Sequence, residues 1–132
     1  MDTSPIHKQV LSALGTVPSV CQAILFGSCA SGRERPDSDV DIAVDLGHPL
    51  SIQEKIALIS AVTTETGRAA DVIDLQTVGE PLLGQILANG TRLLGTNTRY
   101  AELIKRHLFN EADFMPYQRR ILEQRRKKWI AN

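Results

Sequence analysis

Cysteine, aromatic residues and long apolar runs are all scarce in this chain of 132 residues. Cys21 and Cys29 are its only cysteines and cannot form the paired doublets of a zinc site, so they favour a reduced, cytoplasmic protein. No apolar run approaches the roughly 20 residues that span a bilayer, and the N-terminal residues do not resemble a signal peptide. We therefore expect a soluble globular protein without membrane attachment.

The net charge of zero conceals an uneven distribution along the chain. Residues 1–98 carry 6 Lys and Arg against 11 Asp and Glu, for a net charge of −5, whereas residues 99–132 carry 9 against 4, for +5. An acidic body suits a metal cation, and a basic tail suits an anionic partner such as RNA, DNA or an acidic protein face. A solvated helix face would give the same tail composition.

The order of predicted elements is that of an α/β domain. Short apolar or alternating segments predict strands at 23–26, 39–44, 69–75 and 91–95. Apolar spacing and capping signals predict helices that begin near Pro5, Ser51, Pro81 and Thr98, and a last basic helix at 117–129, after Pro116. We expect one domain over residues 1–97 and a basic helical extension over residues 98–132.

Two of the predicted helices carry an apolar stripe that indicates which face is buried. The residues expected to form these stripes are Ile6, Val10, Leu11 and Leu14 in the first helix, and Ile52, Ile56, Ile59 and Val62 in the helix after Ser51.

The most informative stretch covers residues 24–44. An apolar run ends at Gly27-Ser28, and ten residues later Asp39 and Asp41 flank a valine before a second apolar run. On a strand, Asp39 and Asp41 point to the same side, and two such carboxylates stay ionised if a divalent cation lies between them. The Gly-Ser turn offers backbone N–H groups and a hydroxyl to an anion. Together these features predict a metal–nucleotide site.

A third carboxylate is expected from the strand at 69–75. Asp71 and Asp74 have opposite parity on that strand, so only one of them can face the site, and the pattern alone leaves both open. Three carboxylates with Mg²⁺ suit in-line displacement at a phosphorus atom, with the third carboxylate binding a second ion or taking the proton of the attacking hydroxyl.

The pattern Gly27-Ser28, a spacer of ten residues, then Asp39-x-Asp41 resembles the nucleotidyltransferase superfamily, and most of all the minimal nucleotidyltransferases. The resemblance implies a polymerase-beta-like palm, in which a small mixed sheet is flanked by helices. It also implies one or two Mg²⁺ ions as cofactor and ATP as substrate. Many relatives have arginine at the position of Cys29, and Arg33 or Arg35 could replace its phosphate contact.

The resemblance also assigns the remaining site residues. Family members carry a Val-Asp-Leu strand after the next helix, and Ala70-Asp71-Val72 fits that strand, so Asp71 is implied as the third carboxylate, with Asp74 as the runner-up. The expected metal ligands and catalytic residues are thus Asp39, Asp41 and Asp71. The expected nucleotide-binding residues are Gly27, Ser28 and Ser38.

The tail narrows the expected function. Residues 114–120 resemble the C-terminal part of the minimal nucleotidyltransferases that act as antitoxins beside HEPN ribonuclease toxins. This resemblance implies an antitoxin that transfers AMP from ATP to a tyrosine of a cognate HEPN toxin, in a homo-oligomer or in a hetero-oligomer with the toxin. Nucleic-acid binding through residues 119–128 is a less favoured partner assignment.

Two other functions stay open from the sequence. One is a nucleotidyltransferase for a small molecule of the aminoglycoside type, and the other is a non-catalytic antitoxin that acts by binding alone. Cys29 is expected to be a small buried side chain rather than a reactive thiol.

Overall fold

A computed structural model describes residues 5–112 of the chain. Its helices are α1 (Pro5–Gly15), α2 (Ser28–Ser31), α3 (Ile52–Thr66) and α4 (Leu82–Asn89), and its strands are β1 (Gln22–Phe26), β2 (Val40–Asp45), β3 (Ala70–Asp74) and β4 (Thr91–Leu94). The chain is helical again over 97–112, here called α5. The antitoxin-like segment 114–120 and the last basic helix lie outside the described residues.

The four strands form one mixed sheet in the order β3-β2-β1-β4. β1 runs antiparallel to both β2 and β4, whereas β2 and β3 are parallel. The end of β1 and the beginnings of β2 and β3 therefore meet at one edge of the sheet. This architecture confirms the expected α/β fold with a small mixed sheet.

Each face of the sheet is covered by its own apolar cluster. Alternate residues of β2 point to opposite faces, so Val40, Ile42 and Val44 lie in a cluster with residues of α1 and α3. Ala43 lies in the other cluster, with residues of α4 and with Leu103 of α5. α5 is therefore part of the packing that covers this face of the sheet.

The predicted stripes of α1 and α3 are partly wrong. Leu11 is 40% exposed, and Ile52 and Ile56 are 75% and 60% exposed. The buried residues of α3 are Leu58 and Val62, one turn apart. A helix that buries this pair turns the isoleucines of its first two turns outward, a rotation that spacing alone did not specify because several apolar sets in α3 share the helical period.

The caps follow the sequence signals with one exception. Ser51 and Glu54 form the predicted capping box at the start of α3. At the start of α5, however, the Arg99 N–H donates to Thr96 Oγ1 at 3.2 Å, so Thr96 takes the capping role predicted for Thr98. Among residues 5–112, no helix has the length and apolar character needed to cross a membrane.

Candidate active site

Asp41 and Asp71 lie side by side on neighbouring strands. They are register partners in the parallel pairing of β2 with β3, so their side chains leave the same face of the sheet. On its other side Asp41 pairs with Phe26, the last residue of β1. Gly27-Ser28, Asp41 and Asp71 thus follow one another across three strands at one edge of the sheet.

Asp39 joins these carboxylates from a loop. The alternation predicts that Asp39 lies in the strand, but β2 begins at Val40, so Asp39 lies just before it. The Asp39 side chain is exposed. Partial burial, followed by the negative charges of Asp71 and Asp39, raises the pKa of Asp41. The negative charges of Asp71 and Asp39 therefore act on the Asp41 carboxylate, with Asp71 the stronger of the two.

Gly27 brings backbone directly against the Asp41 carboxylate. Its φ of 72° lies in the left-handed region that favours glycine. A Cβ on Gly27 would overlap Asp41 Oδ2, so any other residue would displace that carboxylate. The Gly-Ser pattern therefore has a steric requirement in addition to the anion-binding role that the sequence indicated.

Ser28 is the first residue of α2 and is half-buried. The Ala30 and Ser31 N–H groups donate to the Gly27 carbonyl at 3.2 and 3.3 Å, which fixes the turn. The first N–H groups of a helix have no partner inside it, so this turn presents donors beside the Ser28 hydroxyl. Hydroxyl and amides at the end of β1 are groups that can bind a phosphate.

Ser38 lies in a tight turn immediately before Asp39. Its hydroxyl accepts from the Arg35 N–H at 2.7 Å, and its own N–H donates to the Arg35 carbonyl at 3.0 Å. Ser38 therefore directly precedes Asp39 in the chain, and its hydroxyl accepts a hydrogen bond within the turn.

Asp74 does not join the other carboxylates. It pairs with Val44, three positions along β2 from Asp41. Its Oδ2 accepts from the Leu50 N–H and its Oδ1 from the Gln76 N–H, both at 2.9 Å. These bonds fix two loops at the opposite end of the strands, whereas Asp71 alone of this pair lies beside Asp41.

Two contacts to the Asp39 loop carried no signal in the sequence. The Cys29 thiol is only 2% exposed and donates to the Asp39 carbonyl at 3.3 Å. Burial raises the pKa of this thiol, in keeping with a packed rather than a reactive side chain. Arg68, which lies between α3 and β3, donates to the carbonyl groups of Arg35 and Ser38 in the same loop.

The donor set fits a divalent cation. Asp41 and Asp71 are paired on neighbouring strands and Asp39 lies in the adjoining loop, and carboxylate oxygens are the ligands that Mg²⁺ prefers. A cation there would remove the repulsion that raises the pKa of Asp41.

A second group with possible ligands lies between the α4 region and α5. Potential ligand atoms of Glu80, His107 and Glu111 are within 4.8 Å of one another. His107 Nδ1 already lies 2.8 Å from Glu80 Oε1, and the Glu80 Oε2 atom accepts from the Gly84 N–H at 3.1 Å. These contacts connect α5 to the start of α4 and involve no residue of the Gly27-Ser28 turn.

Comparison with known proteins gives concordant results. The family described as polymerase beta, nucleotidyltransferase matches residues 8–99. The protein adenylyltransferase MntA of Shewanella oneidensis is 29% identical over 80 residues, which cover 61% of this chain and 58% of that relative. The chain thus matches a little over half the length of this curated relative.

Solved structures share the fold. A chain from a toxin–antitoxin structure with AMP-PNP superposes with a TM-score of 0.76 at 21% identity, over 89% of this chain and 96% of that chain. Another, from the tri-AMPylated Shewanella oneidensis HEPN toxin in complex with MNT antitoxin, gives a TM-score of 0.71 at 18% identity, over 90% and 94%.

Proposed function

The chain belongs to the polymerase beta nucleotidyltransferase family, and on that premise we propose that it is an antitoxin that transfers AMP from ATP to a tyrosine of a cognate HEPN ribonuclease toxin. The observation that carries the proposal is the pairing of Asp41 with Asp71 next to the Gly27-Ser28 turn. This arrangement sets carboxylates that suit a divalent cation beside groups that can hold phosphates. The adenylyltransferase named MntA and the AMPylated toxin complex among the similar proteins support the choice of AMP and of a toxin as acceptor.

Asp39, Asp41 and Asp71 would hold one or two Mg²⁺ ions in this proposal. Bound there, Mg²⁺ supplies neutralisation of the phosphate charge and a lower pKa for the attacking hydroxyl. In this proposal Ser28 and the amides of its turn bind the terminal phosphates of ATP, and Ser38 contacts the nucleotide. These groups orient the α-phosphorus for attack, which is how positioning contributes to catalysis.

The reaction balances with the groups named. The tyrosine oxygen of the toxin forms a bond to the α-phosphorus of ATP, and the bond from that phosphorus to the bridging oxygen of pyrophosphate breaks. Pyrophosphate leaves with the electron pair of that bond. The phenolic proton passes to the Asp71 carboxylate and from there to solvent. The products are AMP-tyrosine in the toxin and free pyrophosphate.

Mass spectrometry of the co-expressed partner tests this function. We expect the HEPN toxin to gain one or more AMP groups beside the wild-type chain and none beside Asp41→Asn. Asp37→Asn is a matched control, because Asp37 is an exposed aspartate of the loop before Asp39, and it should leave the AMP groups in place.

Three results would contradict the proposal. Neutralisation of the toxin without any added AMP would show an antitoxin that acts by binding alone. Transfer of AMP to an aminoglycoside-type acceptor, with no transfer to the toxin, would show a small-molecule enzyme. Equal modification by Asp41→Asn and wild type would show that the carboxylate cluster is not the active site.

A further inference from the structure

One arginine ties the loop before β2 to the beginning of β3. Arg68 Nη1 donates to the carbonyl oxygen of Arg35 at 2.5 Å and to that of Ser38 at 3.2 Å. Arg68 lies two residues before β3, and its own N–H donates to Thr66 Oγ1 at 3.2 Å. The turn that leads into Asp39 is therefore attached to the strand that carries Asp71.

The peptide after Asp39 is held as well. The Val40 N–H donates to the Ala69 carbonyl at 2.8 Å, and the Cys29 thiol donates to the Asp39 carbonyl at 3.3 Å. Both peptide groups that flank the Asp39 Cα atom thus have partners from other parts of the chain. On the N-terminal side of Asp39, Arg68 bonds to the Ser38 carbonyl, which lies before the first residue of the β2–β3 pairing.

This attachment matters because Asp39 is an exposed loop residue, whereas Asp41 and Asp71 are fixed by strand pairing. A carboxylate that shares a cation with two others must be held to a fraction of an ångström, and a loop does not provide that without further contacts.

We propose that Arg68 is a positioning residue that fixes the Asp39 carboxylate within reach of a cation shared with Asp41 and Asp71. The proposal rests on the metal site of the proposed function. It gives Arg68 a role through the loop backbone, since its Nη1 hydrogen bonds go to carbonyl groups of that loop. Removal of an outer hydrogen-bond partner of a metal ligand typically weakens metal binding about 10- to 100-fold.

A calorimetric titration of Mn²⁺ into the full chain tests the positioning role of Arg68 without any toxin present. Arg68→Met keeps the apolar stem but removes the Nη1 group that donates both hydrogen bonds, and we expect Mn²⁺ binding about tenfold weaker than in wild type. Arg68→Lys keeps the charge and a donor and should recover part of the loss. Arg92→Met is a matched control, because Arg92 also donates to a backbone carbonyl, that of Thr96, but outside the Asp39 loop.

A double-mutant cycle shows whether Arg68 acts through Asp39. In an Asp39→Asn background, Arg68→Met should weaken Mn²⁺ binding by less than about twofold further, because the ligand it positions is already removed. An equal loss in both backgrounds, or Mn²⁺ binding by Arg68→Met as tight as by Arg92→Met, overturns the proposal. A wild-type chain that binds no Mn²⁺ overturns both this role and the metal site.

The outcome is separable from the toxin reaction. If wild type binds Mn²⁺ but transfers no AMP, the proposed antitoxin function fails, and Arg68 is still judged by its effect on Mn²⁺ affinity. If wild type transfers AMP and Arg68→Met binds Mn²⁺ normally, the function stands and the positioning role is wrong. If wild type transfers AMP, Arg68→Met should lower the kcat of transfer and leave the KM for the toxin unchanged.

Discussion

Asp71 and Asp74 lie three residues apart on β3 and face opposite sides of the sheet. Asp71 is the register partner of Asp41, whereas Asp74 pairs with Val44 and accepts two backbone N–H groups from the loops at that end. On β3, the Asp71 carboxylate is therefore available to bind a ligand, whereas the Asp74 carboxylate holds two loops by hydrogen bonds.

The two aspartates should respond differently to the same substitution. The two Asp74 oxygens each accept one backbone N–H, and Asp74→Asn replaces one of these oxygens with an NH₂ group that cannot accept. The free energy of unfolding should therefore fall by about 1–3 kcal/mol. Asp71→Asn should leave stability within about 0.5 kcal/mol of wild type or raise it, but should abolish high-affinity Mn²⁺ binding. Urea unfolding and Mn²⁺ titration of both variants measure this, and loss of Mn²⁺ binding in Asp74→Asn alone would make Asp74 the third ligand.

A methyl group at Gly27 should disturb the site through Asp41. In Gly27→Ala the new Cβ overlaps Asp41 Oδ2, in addition to the strain of a positive φ. Gly47→Ala is a matched control, because Gly47 has a φ of 83° and its Cβ would meet only Cys21 Sγ, at 3.9 Å.

The control variant of this pair should lose about 1–2 kcal/mol from backbone strain alone and keep Mn²⁺ affinity. Gly27→Ala should lose a further 1–3 kcal/mol or so, as overpacked sites do, and bind Mn²⁺ more weakly because Asp41 is displaced. Equal stabilities and equal Mn²⁺ affinities for the two variants would show that the turn does not press on Asp41.

The charge on Asp41 should destabilise the metal-free fold. Its pKa is raised above the ordinary 3.8 by partial burial and by Asp71 and Asp39, so the folded state binds the proton at a higher pH than the unfolded chain does. The destabilisation is complete above the raised pKa and disappears as the pH falls toward 3.8. In EDTA, Asp41→Asn should therefore be more stable than wild type at pH 7, by about 1 kcal/mol for like charges opposite one another in a sheet.

The pH dependence supplies the control for that variant. Urea unfolding of both proteins at pH 7 and near pH 4 should show the advantage of Asp41→Asn shrinking at the lower pH, because Asp41 of wild type then becomes protonated. An advantage that does not change with pH would indicate packing rather than charge, and no advantage at pH 7 would contradict the clustering of carboxylates.

The sequence specified the fold wherever local signals determine it. Strand periodicity located the four strands, and the Ser51–Glu54 capping box located α3. The errors in the two predicted stripes arose because helix rotation depends on which neighbour is packed, and α3 buries Leu58 and Val62 rather than Ile52 and Ile56.

The candidate site was predictable in part for a similar reason. The spacing of Gly27-Ser28 and Asp39-x-Asp41 predicted residues that the fold brings to one edge, because turn and strand are local in sequence. The parity of β3 separated Asp71 from Asp74, yet only strand pairing shows which one lies beside Asp41. The contacts of Cys29 and Arg68 could not be predicted, since backbone carbonyl groups of a loop leave no residue pattern.

The two cysteines should differ in reactivity. Burial raises the pKa of the Cys29 thiol, which is 2% exposed, whereas Cys21 is half-buried. Iodoacetamide at pH 7.5 or so should therefore label Cys21 of the folded protein at least about tenfold faster than Cys29. Peptide mass spectrometry separates the two sites, and both should react alike in denaturant. Faster labelling of Cys29 would show a reactive thiol beside the site.

The predicted boundary between residues 97 and 98 can be tested at Leu103. This side chain of α5 is 6% exposed and belongs to the cluster that contains Leu83 and Ile86 of α4. If α5 completes that cluster, Leu103→Ala should lower the free energy of unfolding by about 2–5 kcal/mol, the range for buried leucines. Leu108 of the same helix is 61% exposed, so Leu108→Ala should cost less than about 0.5 kcal/mol.

Chemical denaturation of both leucine variants measures the difference, and a single cooperative transition for each would show that α5 unfolds with the sheet. Because truncation after residue 97 also removes Leu103, the shortened chain should be at least as unstable as Leu103→Ala. Equal stabilities of the Leu103 and Leu108 variants, together with a shortened chain as stable as wild type, would instead make residues 98–132 a separate extension, as the sequence had predicted.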